Sequence, residues 1–162
     1  LVTLMNTVLK IFPKEASNNY QGSKIAVYGS ILFTALMFFR GYMHLFEAEY
    51  AANSIAHFII FEASNPNPNT LLYLLFGLWG LEQMILTLFS SIVLIQYRNL
   101  IPLNLFLWII EWSFRPLLVA NLYPIGEEYF TGITPGIMGT PYVIVFLTLM
   151  LILSLRKQKN YQ

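Results

Sequence analysis

The sequence predicts an all-α, polytopic integral membrane protein: a bundle of four transmembrane helices with an N-terminal interfacial helix and structured outer loops. The chain of 162 residues is 57% hydrophobic and 10% charged, whereas soluble domains carry about 25% charged residues. Four apolar runs have roughly the 20 residues that a helix needs to cross a bilayer. The runs are continuously apolar and do not alternate, which disfavours membrane strands.

The N-terminal segment is predicted to lie on the membrane surface. Residues 1–12 are apolar but are interrupted by Asn6 and Lys10. No small-residue cleavage site follows, so a signal peptide is disfavoured. We expect a short interfacial helix that ends at Pro13, because proline is excluded from helix interiors. Residues 1–24 form a cytoplasmic or interfacial segment of a single membrane domain, residues 1–162.

The four spans are predicted to follow in order, at about residues 25–46, 71–97, 101–121 and 141–155. Pro102 lies in the first turn of the third span, where its missing N–H costs nothing. Pro116 lies inside that span and cannot donate to the carbonyl of Trp112, so we expect a break in the helix there. The fourth run is short, and we expect it to borrow Ile137 and Met138 or to cross at a thinned place.

The long connections are predicted to be structured outer loops. Residues 49–63 mix apolar and polar side chains at helical spacing, which indicates a segment on the outer surface or a cap on the bundle. Asn69 or Thr70 is expected to cap the second span. Residues 123–141 are rich in Gly and Pro, and ordered loops of this length are usually lids or binding segments.

The basic residues predict the orientation. Seven of the nine Lys and Arg residues flank the spans on one side, and the opposite loops carry Glu instead. Those seven are Lys10, Lys14, Lys24, Arg98, Arg156, Lys157 and Lys159. Because Lys and Arg are enriched in cytoplasmic loops, both termini are expected in the cytoplasm, across a prokaryotic cytoplasmic membrane. The net charge of +1 gives no reason to expect nucleic-acid binding.

Four charged side chains fall inside the predicted spans: Arg40, Glu82, Glu111 and Arg115. The rise of 1.5 Å per residue puts both arginines roughly 21–23 Å from the cytoplasmic helix ends, with the glutamates near the same depth. A charge at mid-membrane costs about 2.5–3.5 kcal/mol, so such residues are candidates for function. We expect the four side chains to form one buried, neutral cluster that binds a ligand or fixes helix packing.

An outer polar path is predicted above this cluster. Arg40, His44 and Glu47 are spaced i, i+4, i+7 and therefore share one helix face. Since His titrates near neutral pH, the stripe could carry protons. The alternative is an interfacial His44 that bonds to Glu47 or to a loop carbonyl.

No catalytic residue or metal site is assigned. The chain has no Cys, which excludes thiolate ligands and thiol catalysis, and the Glu-x-x-His pairs of di-iron bundles are missing. Absence of a catalytic activity of its own is the favoured interpretation. No cofactor is certain, although Trp108 and Trp112 could wall a quinone or a bound lipid. Helix packing is the simpler explanation for these two side chains.

Three segments resemble the DoxX-like small membrane proteins. They are Leu74-Leu75-Phe76-Gly77-Leu78-Trp79-Gly80, the turn Tyr97-Arg98-Asn99, and Arg115-Pro116-Leu117-Leu118 at the end of the third span. The resemblance covers roughly residues 24–157 and implies a four-helix fold. It implies more loosely a small subunit attached to quinone-linked redox machinery.

Three functions are therefore considered. The favoured one is an accessory or structural subunit of a larger membrane complex, with other membrane subunits and membrane lipids as partners. The first alternative is a small redox protein that binds a quinone or lipid at the charged cluster. The second is a bundle that conducts protons or a small solute. Conduction ranks last, since transporters usually contain inverted repeats and this chain shows none.

Overall fold

The computed structural model describes residues 8–62 and 64–156, and this part of the chain is helical without a β-strand. Four helices are long and apolar enough to cross a membrane, as predicted. They are α1 (Lys24–Phe46), α2 (Pro68–Gln96), α3 (Ile101–Phe114) and α4 (Pro135–Leu155). Short helical turns extend α3 at both ends, so that its continuous helical segment is Arg98–Leu122.

The predicted cap of α2 was wrong, whereas α4 includes Ile137 and Met138, as one of the two alternatives for the short fourth run predicted. The cap of α2 is Asn67, whose side chain accepts from the N–H of Asn69 at 3.0 Å. The Asn69 side chain instead pairs with both backbone groups of Phe61. Helix α4 begins at Pro135 and has 21 residues, so Pro141 lies inside it. Pro141 removes one backbone hydrogen bond from α4. In an apolar environment no water can replace the remaining backbone hydrogen bonds, so the helix continues through the proline.

The four helices form two main pairs. Helix α1 packs most extensively against α2, and α3 packs against α4; α1 also contacts α4, whereas α2 and α3 approach each other sparsely. The main apolar core lies between these helices and contains Phe33, Met37, Leu105, Trp108 and Leu147 among others. The gap between α2 and α3 matters for the site described below.

Glycine lets α1 and α2 cross closely. A Cβ atom added to Gly80 would lie 2.7 Å from the backbone carbonyl carbon of His44, closer than such atoms approach in proteins. At Gly77, one turn away on the same helix, an added Cβ would meet nothing within 4 Å. The crossing therefore depends on Gly80 and not on Gly77.

The described residues before α1 meet the end of α4 at one end of the bundle, where Lys10 donates to the carbonyl of Leu155 at 2.9 Å; this end is here called the terminal end. Much of the predicted interfacial helix lies outside the described residues; residues 8–11 are helical, and the helix ends before Pro13. The segment that follows Pro13 is hydrogen-bonded to the α2–α3 turn through the side chain of Asn99. Its side chain accepts from the N–H of Ser17 and donates to the carbonyl of Glu15, each at 2.8 Å.

The two long connections meet at the opposite end, here called the loop end. After α1 the chain forms a short helix, Ala48–Tyr50, and a π-helix, Ala51–Ile55. The carbonyl of His57 then accepts from the N–H of Thr131 at 2.7 Å, and the Thr134 hydroxyl donates to the carbonyl of Ala56 at 2.8 Å. Phe58 and Phe130 form an isolated antiparallel bridge beside these bonds. The connections thus form one cap, which we call the loop cap.

The predicted break at Pro116 takes the form of a change in helix type. Helix α3 ends at Phe114 and continues as a π-helix, Arg115–Val119. The N–H of Ala120 donates to the carbonyl of Arg115, which is the wide i→i+5 bond of a π-turn. The chain thereby accommodates the missing N–H of Pro116 without leaving the helix, and Arg115 stands at the transition.

Candidate functional site

Two arginines and two tryptophans come together between α1, α2 and α3. The guanidinium carbon of Arg40 lies 4.5 Å from the ring centroid of Trp79 and 5.4 Å from that of Trp112. The guanidinium carbon of Arg115 lies 4.9 Å and 4.5 Å from the same two rings. Each arginine is therefore in cation–π contact with one indole on α2 and one on α3. We call this group the Arg–Trp site; its members are Arg40, Trp79, Gln83, Glu111, Trp112 and Arg115.

Helical spacing positions these side chains. Trp79 and Gln83 are four residues apart on α2, as are Glu111 and Arg115 on α3, so each pair shares one face. On α1, Arg40 stands beside the buried residues Met37, Gly41 and His44. The arginines occupy the space where α2 and α3 are not in close contact.

The hydrogen bonds of the two arginines differ. Arg40 donates from Nη1 to Oε1 of Gln83 at 3.0 Å, which links α1 to α2. Arg115 donates from Nε to Oε1 of Glu111 at 2.9 Å and forms an ion pair with the same carboxylate. That ion pair lies within one helix, so it cannot fix the packing of two. No carboxylate within the described ranges pairs with Arg40.

Three buried polar atoms of the site have no hydrogen-bond partner in the described part of the chain: Gln83 Nε2, Trp112 Nε1 and Glu111 Oε2. Gln83 is 0% exposed and Trp112 is 4% exposed. A buried polar group without a partner costs about 1–3 kcal/mol, and each instance calls for an explanation. Their concentration around the two arginines indicates a place for a polar ligand.

In a neighbouring network, by contrast, the buried polar side chains are hydrogen-bonded to one another. The indole N–H of Trp108 donates to the Ser90 hydroxyl at 3.0 Å. That hydroxyl lies 2.9 Å from the side-chain oxygen of Asn104, to which it can donate. These three residues are buried and link α2 to α3 below the site. Trp108 is therefore a packing residue, in keeping with the simpler prediction.

Glu82 is not in the buried cluster, which corrects the prediction of four clustered charges. Its side chain is exposed, and neither a hydrogen bond nor an ion pair joins it to another described residue. That prediction rested on depth along the helix, but adjacent residues of an α-helix point about 100° apart. Gln83 therefore faces inward, and Glu82 does not. The signal for Gln83 was present in the buried stripe of α2, at Phe76, Gly80, Gln83, Thr87 and Ser90.

His44 and Glu47 do not form the predicted outer path. His44 is 6% exposed, and its Nδ1 lies 2.7 Å from the carbonyl oxygen of Arg40, to which only a protonated Nδ1 can donate. Its ring stacks on Phe76 and meets the edge of Trp79. Glu47 is exposed and shares no hydrogen bond with His44. Neither the bond to Glu47 nor the bond to a loop carbonyl is formed.

Aromatic rings separate the site from the loop cap. Phe76 contacts His44 at 5.3 Å and Phe58 at 5.8 Å between ring centroids, and Phe58 contacts Phe130 at 4.8 Å. On the other hand, 21% of the Arg115 side chain and 22% of the Glu111 side chain remain accessible. Arg115 and Glu111 are therefore the accessible members of the Arg–Trp site.

Within the site, Arg115 is paired with Glu111 and Arg40 has no carboxylate partner in the described ranges; the exposed Glu82 on α2 also interacts electrostatically with Arg115. Within residues 8–62 and 64–156, no group of three His, Asp or Glu side chains could hold a metal ion. No protein-family model, curated protein or solved structure matches the chain. Any proposal for its function therefore rests on the geometry of the Arg–Trp site.

Proposed function

We propose that this chain is an integral membrane protein that binds the polar headgroup of a membrane amphiphile, a lipid or a quinone, in the Arg–Trp site. The supporting observation is the set of unpartnered buried atoms on Gln83, Trp112 and Glu111, around two arginines. A headgroup with hydrogen-bonding oxygens would satisfy the two donors. It would reach them beside Arg115 and Glu111, whose side chains are partly accessible.

The proposal includes the orientation of the chain. Both termini face the cytoplasm, because the basic residues lie at the terminal end and acidic residues lie at the loop end. Lys157 and Lys159, which contribute to this asymmetry, lie outside the described residues. The Arg–Trp site then lies between the bilayer centre and the outer surface, and the loop cap is the outer cap. The interfacial helix, the prokaryotic membrane and the resemblance to DoxX-like proteins remain predictions.

The second candidate is an accessory subunit of a larger membrane complex. Exposed Glu82 favours it, since a carboxylate in the middle of an apolar helix is costly unless something covers it. A basic or hydrogen-bond-donating side chain on a partner's helix would serve. The buried cluster contributes little to this candidate, because its ion pair lies within α3.

One experiment tests the two candidates together. The full chain is extracted in a gentle detergent, and native mass spectrometry with lipid and quinone extraction identifies what remains bound. Wild type is compared with Arg40→Met and with the matched control Arg98→Met, since Arg98 caps the carbonyl of Leu94 outside the site. We expect an amphiphile on wild type and on Arg98→Met, with at least about tenfold less on Arg40→Met, since a charged hydrogen bond is worth roughly 1.5–3 kcal/mol.

The possible outcomes separate the candidates. Equal retention in all three proteins, or none in wild type, would contradict amphiphile binding at the site. A stoichiometric polypeptide without an amphiphile would establish the accessory subunit instead. A Glu82→Gln substitution that releases this polypeptide would locate the contact on α2.

A further inference from the structure

We infer that the ligand of the Arg–Trp site is the phosphate group of an anionic lipid. This inference rests on the proposed function and names the chemical class of its ligand. Three features of the site carry it: the charge balance, the excess of hydrogen-bond donors, and the partial accessibility of Arg115 and Glu111.

The charge balance calls for an anion. Arg115 is paired with Glu111, while Arg40 is bonded to the neutral amide of Gln83. An uncompensated charge in a low-dielectric region is costly, and cation–π contacts with Trp79 and Trp112 only partly replace its hydration. A bound anion would remove this cost, whereas a neutral quinone would not.

The hydrogen-bonding groups match a phosphate. Free donors come from Gln83 Nε2, from Trp112 Nε1 and from guanidinium N–H groups that the two existing contacts leave over. Donors from four side chains suit a group with several oxygens, and guanidinium matches phosphate geometry well. The one free acceptor, Glu111 Oε2, would accept from a P–OH or from a headgroup hydroxyl.

One headgroup can reach all these donors. Both guanidinium carbons lie within 5.4 Å of the same two indole centroids. Gln83 and Glu111 are each bonded directly to one of these guanidinium groups. The donors are therefore grouped around Trp79 and Trp112.

The accessibility of the site favours a lipid over free phosphate. The rings of His44 and Phe76 pack between the site and Phe58 of the loop cap, on the side from which soluble anions would enter. Arg115 and Glu111 are partly accessible and belong to a bundle whose exposed surface carries many large apolar side chains, which favours a route from the bilayer. A phosphate carried by a lipid can arrive by that route.

The test uses the full chain in phosphatidylcholine nanodiscs. Phosphatidic acid, a quinone and inorganic phosphate are titrated separately, and binding is followed by native mass spectrometry. The main variant is Gln83→Glu, which keeps the shape of the side chain, gives Arg40 a carboxylate and removes the amide donor. The matched control is Gln96→Glu, the same substitution at an exposed position at the other end of α2.

We expect wild type to prefer phosphatidic acid to phosphatidylcholine by at least about tenfold, which corresponds to about 1.4 kcal/mol. Gln83→Glu should lower the affinity for phosphatidic acid by at least about tenfold, as expected for one charged contact. Gln96→Glu should change it by less than about twofold, since Gln96 is exposed at the far end of α2, where a surface charge contributes little. The wild-type preference stands as a test even if Gln83→Glu does not fold.

Other outcomes overturn the inference in distinguishable ways. Binding of the quinone without phosphatidic acid would refute a phosphate ligand but leave the proposed function intact. Equal binding of phosphatidic acid and inorganic phosphate would refute a lipid source. Equal binding of phosphatidic acid and phosphatidylcholine would refute the charge argument. If no amphiphile binds, the proposed function falls as well.

Discussion

Two tryptophans one turn apart on α3 have different roles because of a single hydrogen bond. Trp108 and Trp112 are both buried, and both rings contact Phe33. The indole N–H of Trp108 donates to Ser90, whereas that of Trp112 has no partner in the described part of the chain. A Trp N–H that is buried usually finds an acceptor, so the missing one at Trp112 is informative.

Replacing each tryptophan by phenylalanine should separate stability from binding. Trp108→Phe removes a satisfied hydrogen bond and should destabilise the bundle by about 1 kcal/mol more than Trp112→Phe does. Trp112→Phe should instead weaken amphiphile retention about tenfold, because a donor to the ligand is lost. Since both substitutions remove the same atoms, the packing losses largely cancel.

Thermal unfolding in detergent and native mass spectrometry measure the two effects. The opposite pattern, in which Trp108→Phe releases the ligand and Trp112→Phe does not, would place the binding site around Ser90 and Asn104.

At the scale of elements, the site depends on how closely α1 and α2 cross. Gly80 lies against the backbone of His44, and Gln83, less than one turn further on, bonds to Arg40. The close crossing thereby fixes the distance between the arginine of α1 and the amide of α2. Packing of small residues is a common means of joining helices in membranes, where no hydrophobic force drives association.

Adding one methyl group to this crossing should separate the helices. Gly80→Ala is expected to lower stability by about 1–3 kcal/mol, the usual cost of overpacking a close contact. Gly77→Ala is the matched control, because nothing lies within 4 Å of its added Cβ. It should leave stability unchanged or raise it slightly, since Ala favours helix. Unfolding of both variants in the same detergent measures the difference; equal losses would show that the crossing is not the cause.

The four helices were predictable from the sequence, but the helix faces that point into the bundle were less predictable. Long apolar runs determine helices in this chain, because a backbone without water must bond to itself. The ends were harder, since Pro141 resembles a boundary and yet lies inside α4. The site was found in part: Arg40, Glu111 and Arg115 are in it, whereas Glu82 is exposed and Gln83 takes the inward position. Gln83 was not predicted because its amide is neutral, whereas the prediction was based on charged residues inside the spans.

At the scale of the whole molecule, the two ends of the bundle differ in charge and in construction. Among the described residues, the terminal end carries Lys10, Lys14, Lys24, Arg98 and Arg156 and is joined through Asn99. The loop end is closed by backbone hydrogen bonds between its two long connections. An even number of crossings requires both termini on one side. This is the feature that the orientation proposal depends on.

Single cysteines can test this topology directly, because the chain has none of its own. Glu15→Cys lies at the terminal end and Glu127→Cys at the loop end, and both positions are exposed. In intact cells, a maleimide that cannot cross membranes should label Glu127→Cys and leave Glu15→Cys unlabelled until the cells are opened. Labelling of Glu15→Cys alone would reverse the orientation, and equal labelling in intact cells would contradict the three crossings between the two positions.

The chain has three tryptophans, and all of them lie at or next to the Arg–Trp site. Its intrinsic fluorescence is therefore a report on this one place, free of background from other indoles. Trp79 and Trp112 have guanidinium groups against their rings, whereas Trp108 does not appear in these contacts. An anion that moves the two arginines would change the fluorescence of Trp79 and Trp112 but not that of Trp108. The protein thus contains its own optical indicator of occupancy.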